Sequence, residues 1–252
     1  MNNINRVINS SPAVFNIIIV NLLLLLANNL FEGRGVELNE VFGLHFVLSD
    51  NFHAYQFVTY MFMHGGIEHL FFNMFAIFMF GRVFESIWGA KKFLFYYFVA
   101  GLGAAVVQQT MWYIDYVNVV QHIADLPLAI NLIAQEGYKV LGEGYNYSDE
   151  YMGMLNILWH IPTVGASGAV FGILLAFGFM FPQEKLFMFF IPIPIPARVF
   201  VIIYGVVELF AGVANFKGDN IAHFAHLGGL LFGLLLLIVW KKRGLLFSRY
   251  LS

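Results

Sequence analysis

Six stretches of the chain are apolar for long enough to be read as spans, and polar or proline-bearing segments separate them. They cover residues 12–30, 67–84, 93–113, 167–181, 197–213 and 221–240, against a need for about 20 predominantly apolar residues in a membrane-crossing helix. The fourth is short. At 1.5 Å per residue it rises about 22 Å, roughly 8 Å less than a hydrocarbon core about 30 Å thick. Pro162 and Gly165 precede it and disfavour a helix running unbroken through Ser167. The helix is therefore expected to begin at the serine, below the outer surface. Its unpaired N–H groups cannot face lipid, so protein and water must line that place.

The segments between spans differ in character. The outer loop 31–66 mixes Glu32, Glu37, Glu40 and Asp50 with Phe42, Phe46, Phe52, Tyr55 and Phe57, a composition suited to lying half-submerged at an interface. The long outer insert 114–152 is acidic, carries Pro127 and a Gly142-Glu143-Gly144 turn signal, and is expected to hold a short amphipathic helix near 116–136. Between the fourth and fifth spans, prolines alternate at 192, 194 and 196. They are expected to exclude both a helix and a strand ladder, leaving a stiff connector. No internal repeat is apparent, which weakens transporter architectures built on duplicated halves. The expected fold is an all-α, polytopic bundle of six transmembrane helices, with one domain filling residues 1–252.

Composition agrees with this pattern. Sixty per cent of residues are hydrophobic, 11% are charged and the mean hydropathy is +0.75, where a soluble domain is about a quarter charged. Basic residues should collect in cytoplasmic segments. With the N-terminus inside, Arg6, Arg82, Lys91, Lys92, Lys185, Arg198, Lys241, Lys242, Arg243 and Arg249 lie inside, and Arg34, Lys139 and Lys217 outside. Both termini are thus expected to be cytoplasmic. The first apolar run contains Asn16 and Asn21 and no small-residue cleavage pattern follows it, so it reads as a retained anchor. With no organellar presequence apparent, a bacterial inner membrane is the expected location. A net charge of -2 without a basic stripe excludes nucleic acid as a partner class. The absence of cysteine excludes disulfides, thiolate metal sites and a cysteine nucleophile.

Polar residues inside such spans are the candidates for chemistry. Ser167 opens the short span within Gly165-Ala166-Ser167-Gly168-Ala169-Val170-Phe171-Gly172, and His226 lies in Ala225-His226-Leu227-Gly228-Gly229 on the sixth. Counted from Phe181 and Trp240, both sit about 21 Å above the cytoplasmic edge. A serine–histidine hydrogen bond needs about 2.6–3.2 Å, which demands close backbones. Gly168 and Gly172 on one helix, and Gly229 and Gly233 on the other, supply the small-xxx-small spacing for it. On the second span His69 and Asn73 share a face, where both could donate to an oxyanion alongside the Ser167 N–H. Asn73 is only nine residues from Arg82, so either Arg82 snorkels or the helix continues towards Trp88.

In this order, each on its own span, the His69-x-x-x-Asn73 pair, the Gly165–Gly172 segment and the Ala225–Gly229 segment resemble the rhomboid intramembrane serine proteases. The likeness covers the chain from about Phe52 to Trp240. It implies Ser167 as nucleophile and His226 as general base in a dyad lacking the carboxylate of hydrolytic triads, with His69 and Asn73 stabilising the oxyanion. It also implies single-pass transmembrane proteins as substrates, cleaved within or near the bilayer, and no cofactor or metal. Glu85 and Gly89 match a structural motif of the family, read as packing and capping. Two departures stand out. Phe171 replaces a tyrosine that often stacks on the histidine, and the insert 114–152 is not general to the family, being read as a tolerated insertion more than a screen.

The same residues allow other readings. His64, His69, His223 and His226 could form a metal site between spans, as in a histidine-site metal transporter, or the chain could be a non-catalytic membrane binding protein. No HExxH signature supports a membrane metalloprotease, and Ala169 breaks the GxSxG pattern of soluble hydrolases. His223 lies nearer the outer surface than His226 and is set aside as base. His64 is expected to make a structural hydrogen bond at a helix entrance. Glu208 in the fifth span is read as an internally bonded or protonated structural acid, with nothing nearby to complete a proton path.

Overall fold

The computed structural model describes residues 11–188, 191–214 and 222–247. Among these, five helices are long and apolar enough to cross a membrane: α1 (Pro12–Glu32), α4 (Ile67–Trp88), α5 (Ala90–Val120), α10 (Ala197–Ala214) and α11 (His223–Lys242). The sixth apolar helix, α9 (Ser167–Met180), is shorter and starts at the serine, as Pro162 and Gly165 require. Shorter helices fill the outer segments: α2 (Leu38–Phe42), α3 (Gln56–Thr59), α6 (Leu126–Leu132), α7 (Tyr138–Gly142) and α8 (Glu150–His160). The chain is an all-α polytopic membrane protein. The expected start of the last span at Ile221 lies outside the described residues.

Helix α9 sits in the middle of the bundle and packs on α5 and α11. It is almost wholly enclosed, while α10 buries only Ala197, Val201 and Glu208. The principal core joins α1, α4, α5, α9 and α11, with Trp88, Phe84, Phe93, Tyr96, Tyr97 and Trp240 stacked at its lower end. Helix α4 continues past Arg82 to Trp88 through a π-helical turn at Ile77–Gly81. Gly89, at φ 80°, then reverses the chain into α5, a conformation that glycine adopts at little cost.

Three expectations change. The helix anticipated near 116–136 is divided: α5 runs on to Val120, and a new helix begins at Asp125, whose carboxylate caps Leu128 N at 3.1 Å ahead of Pro127. Proline at the first turn costs nothing there because its N–H has no helical partner. Second, α8 forms from a stretch not counted among the apolar helices. Leu155, Leu158 and Trp159 close a small second core over Phe46, Val119 and Ile133, so the insert packs onto the first outer loop. Third, the proline-rich connector does form a ladder. β1 (Lys185–Met188) pairs antiparallel with β2 (Ile191–Pro196), Lys185 opposite Pro196 and Leu186 opposite Ile195. Prolines at every second position remove N–H groups from one strand edge only, and in a two-stranded hairpin that edge needs no partner.

The outer loop 31–66 is held by buried side chains. Gln56 accepts from His45 N and donates to Asn51 O, while Gln109 on α5 donates to His45 O and accepts from Val47 N. Leu44 and Thr163 exchange both backbone hydrogen bonds at 2.9 Å, fastening the loop to the segment that leads into Ser167.

At the opposite end, Glu85 is buried and accepts from Ala13 N and Val14 N, both at 2.9 Å. A carboxylate at a helix N-terminus meets unpaired donors and the positive end of the dipole. Glu85→Ala is expected to cost about 2 kcal/mol by leaving those donors unpaired, seen as a lower thermal midpoint in detergent. Glu85→Gln, which keeps one carbonyl acceptor, should cost less.

Candidate active site

Ser167 Oγ lies 2.8 Å from His226 Nε2. The contact follows from the glycines. A Cβ on Gly229 would lie 1.9 Å from Gly168 O, and one on Gly172 would lie 3.2 Å from Gly229 O, so α9 and α11 touch backbone to backbone. Gly233 contributes in the same way, since its Cβ would sit 3.2 Å from Gly172 Cα and 2.6 Å from the Tyr96 hydroxyl. A third helix takes part that the small-residue pairing did not anticipate. A Cβ on Gly168 would meet Ala104, one on Gly172 would meet Ala100, and Gly103 and Ala104 receive Phe232 and Gly228. The run Ala100-Gly101-Leu102-Gly103-Ala104-Ala105 was the signal for it.

The histidine ring is held from both sides. Phe171 stacks on His226 with centroids 4.2 Å apart and planes 9° from parallel, so the phenyl ring keeps the face contact without a hydroxyl. On the other edge, Nδ1 of His226 lies 2.9 Å from Glu208 Oε2, which also takes Nδ1 of His223 at 2.6 Å. This corrects two expectations. Glu208 is internally bonded, as expected, but its partners include His226, so a titratable neighbour is present after all, and the serine–histidine pair is accompanied by a carboxylate. The depth argument applied to α10 would have found it: eleven residues beyond Ala197, Glu208 stands about 16 Å up the helix, within side-chain reach of His226.

Ser167 is half-buried and sits at the first turn of α9, whose first intrahelical bond is Val170 N to Ala166 O. The preceding N–H groups have no acceptor within the helix. Gly165, at φ 129°, donates to Tyr60 O at 2.9 Å and turns the chain into that helix. A Cβ on Gly165 would meet His69 Cε1 at 2.7 Å and Nε2 at 2.8 Å, with Ser167 Oγ at 3.6 Å. His69 is thus brought beside the serine, and only glycine leaves room for it. Asn73 follows one turn on, buried, with its amide donating to His69 O at 2.9 Å, and one N–H remains for another acceptor.

The four histidines are divided into two pairs. His64 meets His69 with ring centroids 5.0 Å apart, and His223 meets His226 at 6.4 Å. Among the described residues the cluster of ligand-capable atoms is Glu208, His223 and His226, all within 4.8 Å of one another. Among the described residues both His64 ring nitrogens are buried without a well-formed hydrogen bond, the Phe62 backbone being close enough to act on the ring as an acceptor. Beside it, a polar cavity of about 150 Å³ is lined by Asn28, Glu32, Glu37, Asn39, Gly65 and other residues.

A family model described as Rhomboid domain matches residues 51–243, across the insert. A mitochondrial rhomboid protein of Schizosaccharomyces pombe, described as uncharacterized, is 29% identical over 75% of this chain and 52% of its own length. Rhomboid-like protein 11, chloroplastic, of Arabidopsis thaliana is 36% identical over 37% of the chain and 31% of its own length. Rhomboid protein 1, mitochondrial, of Saccharomyces cerevisiae is 27% identical over 69% and 38%. The chain therefore spans about half or less of the length of these curated relatives.

Two measurements test the site's construction. Gly229→Ala is expected to cost about 1–3 kcal/mol through overpacking and to lower the thermal midpoint, whereas Gly65→Ala, whose Cβ meets nothing within 4 Å, should leave it unchanged. Burial, with His69 nearby, pushes the His64 imidazole down from 6.5 to about 3, so the fold holds this ring neutral. An unfolded chain takes up that proton near pH 6.5, so the stability it contributes is complete above that pH and drains away as pH falls towards 3. His64→Phe should flatten the fall of the midpoint between about pH 6.5 and 4.

Proposed function

Because the chain belongs to the rhomboid family, we propose that it is an intramembrane serine endopeptidase that cleaves single-pass membrane proteins in or near their transmembrane segment. The observation that carries this reading is the 2.8 Å contact between Ser167 Oγ and His226 Nε2 at the start of an enclosed helix. Ser167 attacks the scissile carbonyl and His226 takes its proton, then delivers it to the leaving amine. In this reading the Ser167 N–H, His69 and Asn73, carried on two helices, supply the donors for the developing oxyanion. Water then attacks the acyl-enzyme with His226 again as base. Gly168, Gly229 and Gly233 act by closing the backbones, and Phe171 by fixing the plane of the imidazole.

A substrate helix must expose a carbonyl to be cut. Helix-weakening Gly or Ser near the scissile bond is therefore favoured, since glycine costs about 1 kcal/mol of helix stability relative to alanine. The single domain across 1–252 and cytoplasmic termini belong to the same proposal, the latter resting on the ten basic residues assigned inside against three outside. The bacterial inner membrane has no such support, because the relatives are named as mitochondrial and chloroplastic proteins.

Purified protein in detergent with a labelled transmembrane substrate tests the proposal. Ser167→Ala should abolish cleavage with an unchanged thermal midpoint, His226→Ala should abolish it in a folded protein of lower midpoint because Glu208 and Phe171 lose their partner, and Asn73→Ala should reduce kcat about 10²-fold by removing one oxyanion donor. Cleavage that persists in Ser167→Ala but stops with a chelator would instead favour metal chemistry.

A further inference from the structure

Glu208 is the one acidic side chain of α10, and it is turned inward. Val206, Val207, Leu209 and Phe210 around it are 52–67% exposed, whereas Glu208 is 7% exposed. Its Oε2 lies 2.6 Å from His223 Nδ1 and 2.9 Å from His226 Nδ1. These are lengths for charge-assisted hydrogen bonds, and each requires a hydrogen between nitrogen and oxygen. A tetrahedral metal with ligands at about 2.1 Å would hold its ligand atoms about 3.4 Å apart, wider than either contact. The cluster therefore has the dimensions of a proton-bridged group.

The consequence concerns His226. A neutral imidazole carries one N–H, and a carboxylate at Nδ1 holds it there. Nε2 is then left with its lone pair, 2.8 Å from Ser167 Oγ, the tautomer a general base needs. Resting on the serine-protease reading above, we propose that Glu208 is a positioning residue of the reaction, acting through His226 to complete a Ser167–His226–Glu208 relay borne by three helices. As the bond from Oγ to the scissile carbon forms, the carbonyl π pair moves to oxygen and the Oγ proton moves to Nε2. The imidazolium keeps its Nδ1 proton, and the adjoining carboxylate, still ionised, offsets the new charge. When the C–N bond breaks, the Nε2 proton passes to the leaving amine and His226 is neutral again in the same tautomer. His223 donates to the same oxygen from one turn away on α11 and keeps the carboxylate turned towards His226 rather than lipid.

A purely structural tie between α10 and α11 would use the same contacts, so the test must separate the two. Glu208→Gln keeps a carbonyl acceptor and the side-chain volume but removes the charge, and Glu208→Leu removes both. Cleavage of a labelled transmembrane substrate in detergent is measured for each, with thermal midpoints, alongside nitrogen-15 NMR of labelled histidine in the active protein. The relay requires kcat to fall by about 10²- to 10⁴-fold in Glu208→Gln with KM within about threefold of the parent. It also requires a neutral His226 protonated at Nδ1 in the parent and shifted towards Nε2 in Glu208→Leu, and partial recovery of kcat in Glu208→Asp relative to Leu. Parental kcat in Glu208→Gln at an unchanged midpoint overturns it, as does an Nε2-protonated His226 in the parent. Stoichiometric zinc retained by the parent and lost in Glu208→Gln, with chelator-sensitive cleavage, overturns it too. If Ser167→Ala abolishes cleavage while Glu208→Gln does not, only the relay falls, whereas cleavage surviving in Ser167→Ala removes the serine-protease reading itself.

Discussion

The site depends on how closely two helix backbones approach. Where Gly229 faces Gly168, the space for a single methyl group is missing, since a Cβ there would lie 1.9 Å from a carbonyl oxygen. Side chains of ordinary size would hold helix axes 8–10 Å apart, and the short reach of serine could not bridge such a gap to an imidazole. Hydrophobic force does not bring helices together in lipid, so van der Waals packing of small surfaces must do it. The same glycines therefore provide both the adhesion and the geometry of the Ser167–His226 contact.

Much of the fold was legible because the bilayer leaves few choices. A span has to satisfy its own backbone hydrogen bonds, so apolar length alone gave helices at 12–30, 67–84 and 197–213 whose first residues coincide with the observed starts at Pro12, Ile67 and Ala197. The early start of α9 was legible for a different reason, the pairing of Pro162 and Gly165 ahead of a deficient length. Outside the apolar segments the reading weakened. Helix α8 is not marked by apolar length, because its apolar face is directed at Phe46 and Ile133, a partner surface no local pattern reveals. The hairpin at Lys185–Met188 and Ile191–Pro196 is hidden by its prolines, whose effect depends on which edge of the strand they occupy and not on their number.

The site was legible in its depths more than in its partners. Ser167 and His226 could be matched because both were counted from aromatic or basic boundaries, and the two ends converge at 2.8 Å. Asn73 and His69 followed from four-residue spacing on one face. Glu208 was placed in the fifth span but not connected, since an acid surrounded by exposed Val and Leu gives no sign of the direction in which it points. Its orientation is settled by packing: Val201 and Ala197 share its buried side, and His223 and His226 stand opposite on the neighbouring helix.

Small residues have a second effect, which explains where the buried polar side chains go. A helical carbonyl is normally covered by side chains of its own and neighbouring helices, but beside a glycine it stays open to a donor from another segment. Tyr60 donates to Gly101 O and Tyr96 to Gly172 O, both at 2.7 Å, while Asn156 donates to Gly137 O. A buried hydroxyl or amide without a partner costs about 1–3 kcal/mol, so each of these ties places a polar group where it can be tolerated and adds a directional bond to packing that is otherwise non-directional. Two of them, from Tyr60 and Tyr96, bear on α5 and α9 themselves. The helix that carries the serine is thus fixed by contact on its glycine face and by the hydrogen bond from Tyr96 to the carbonyl that Gly172 leaves uncovered, and a substitution at Gly172 disturbs both.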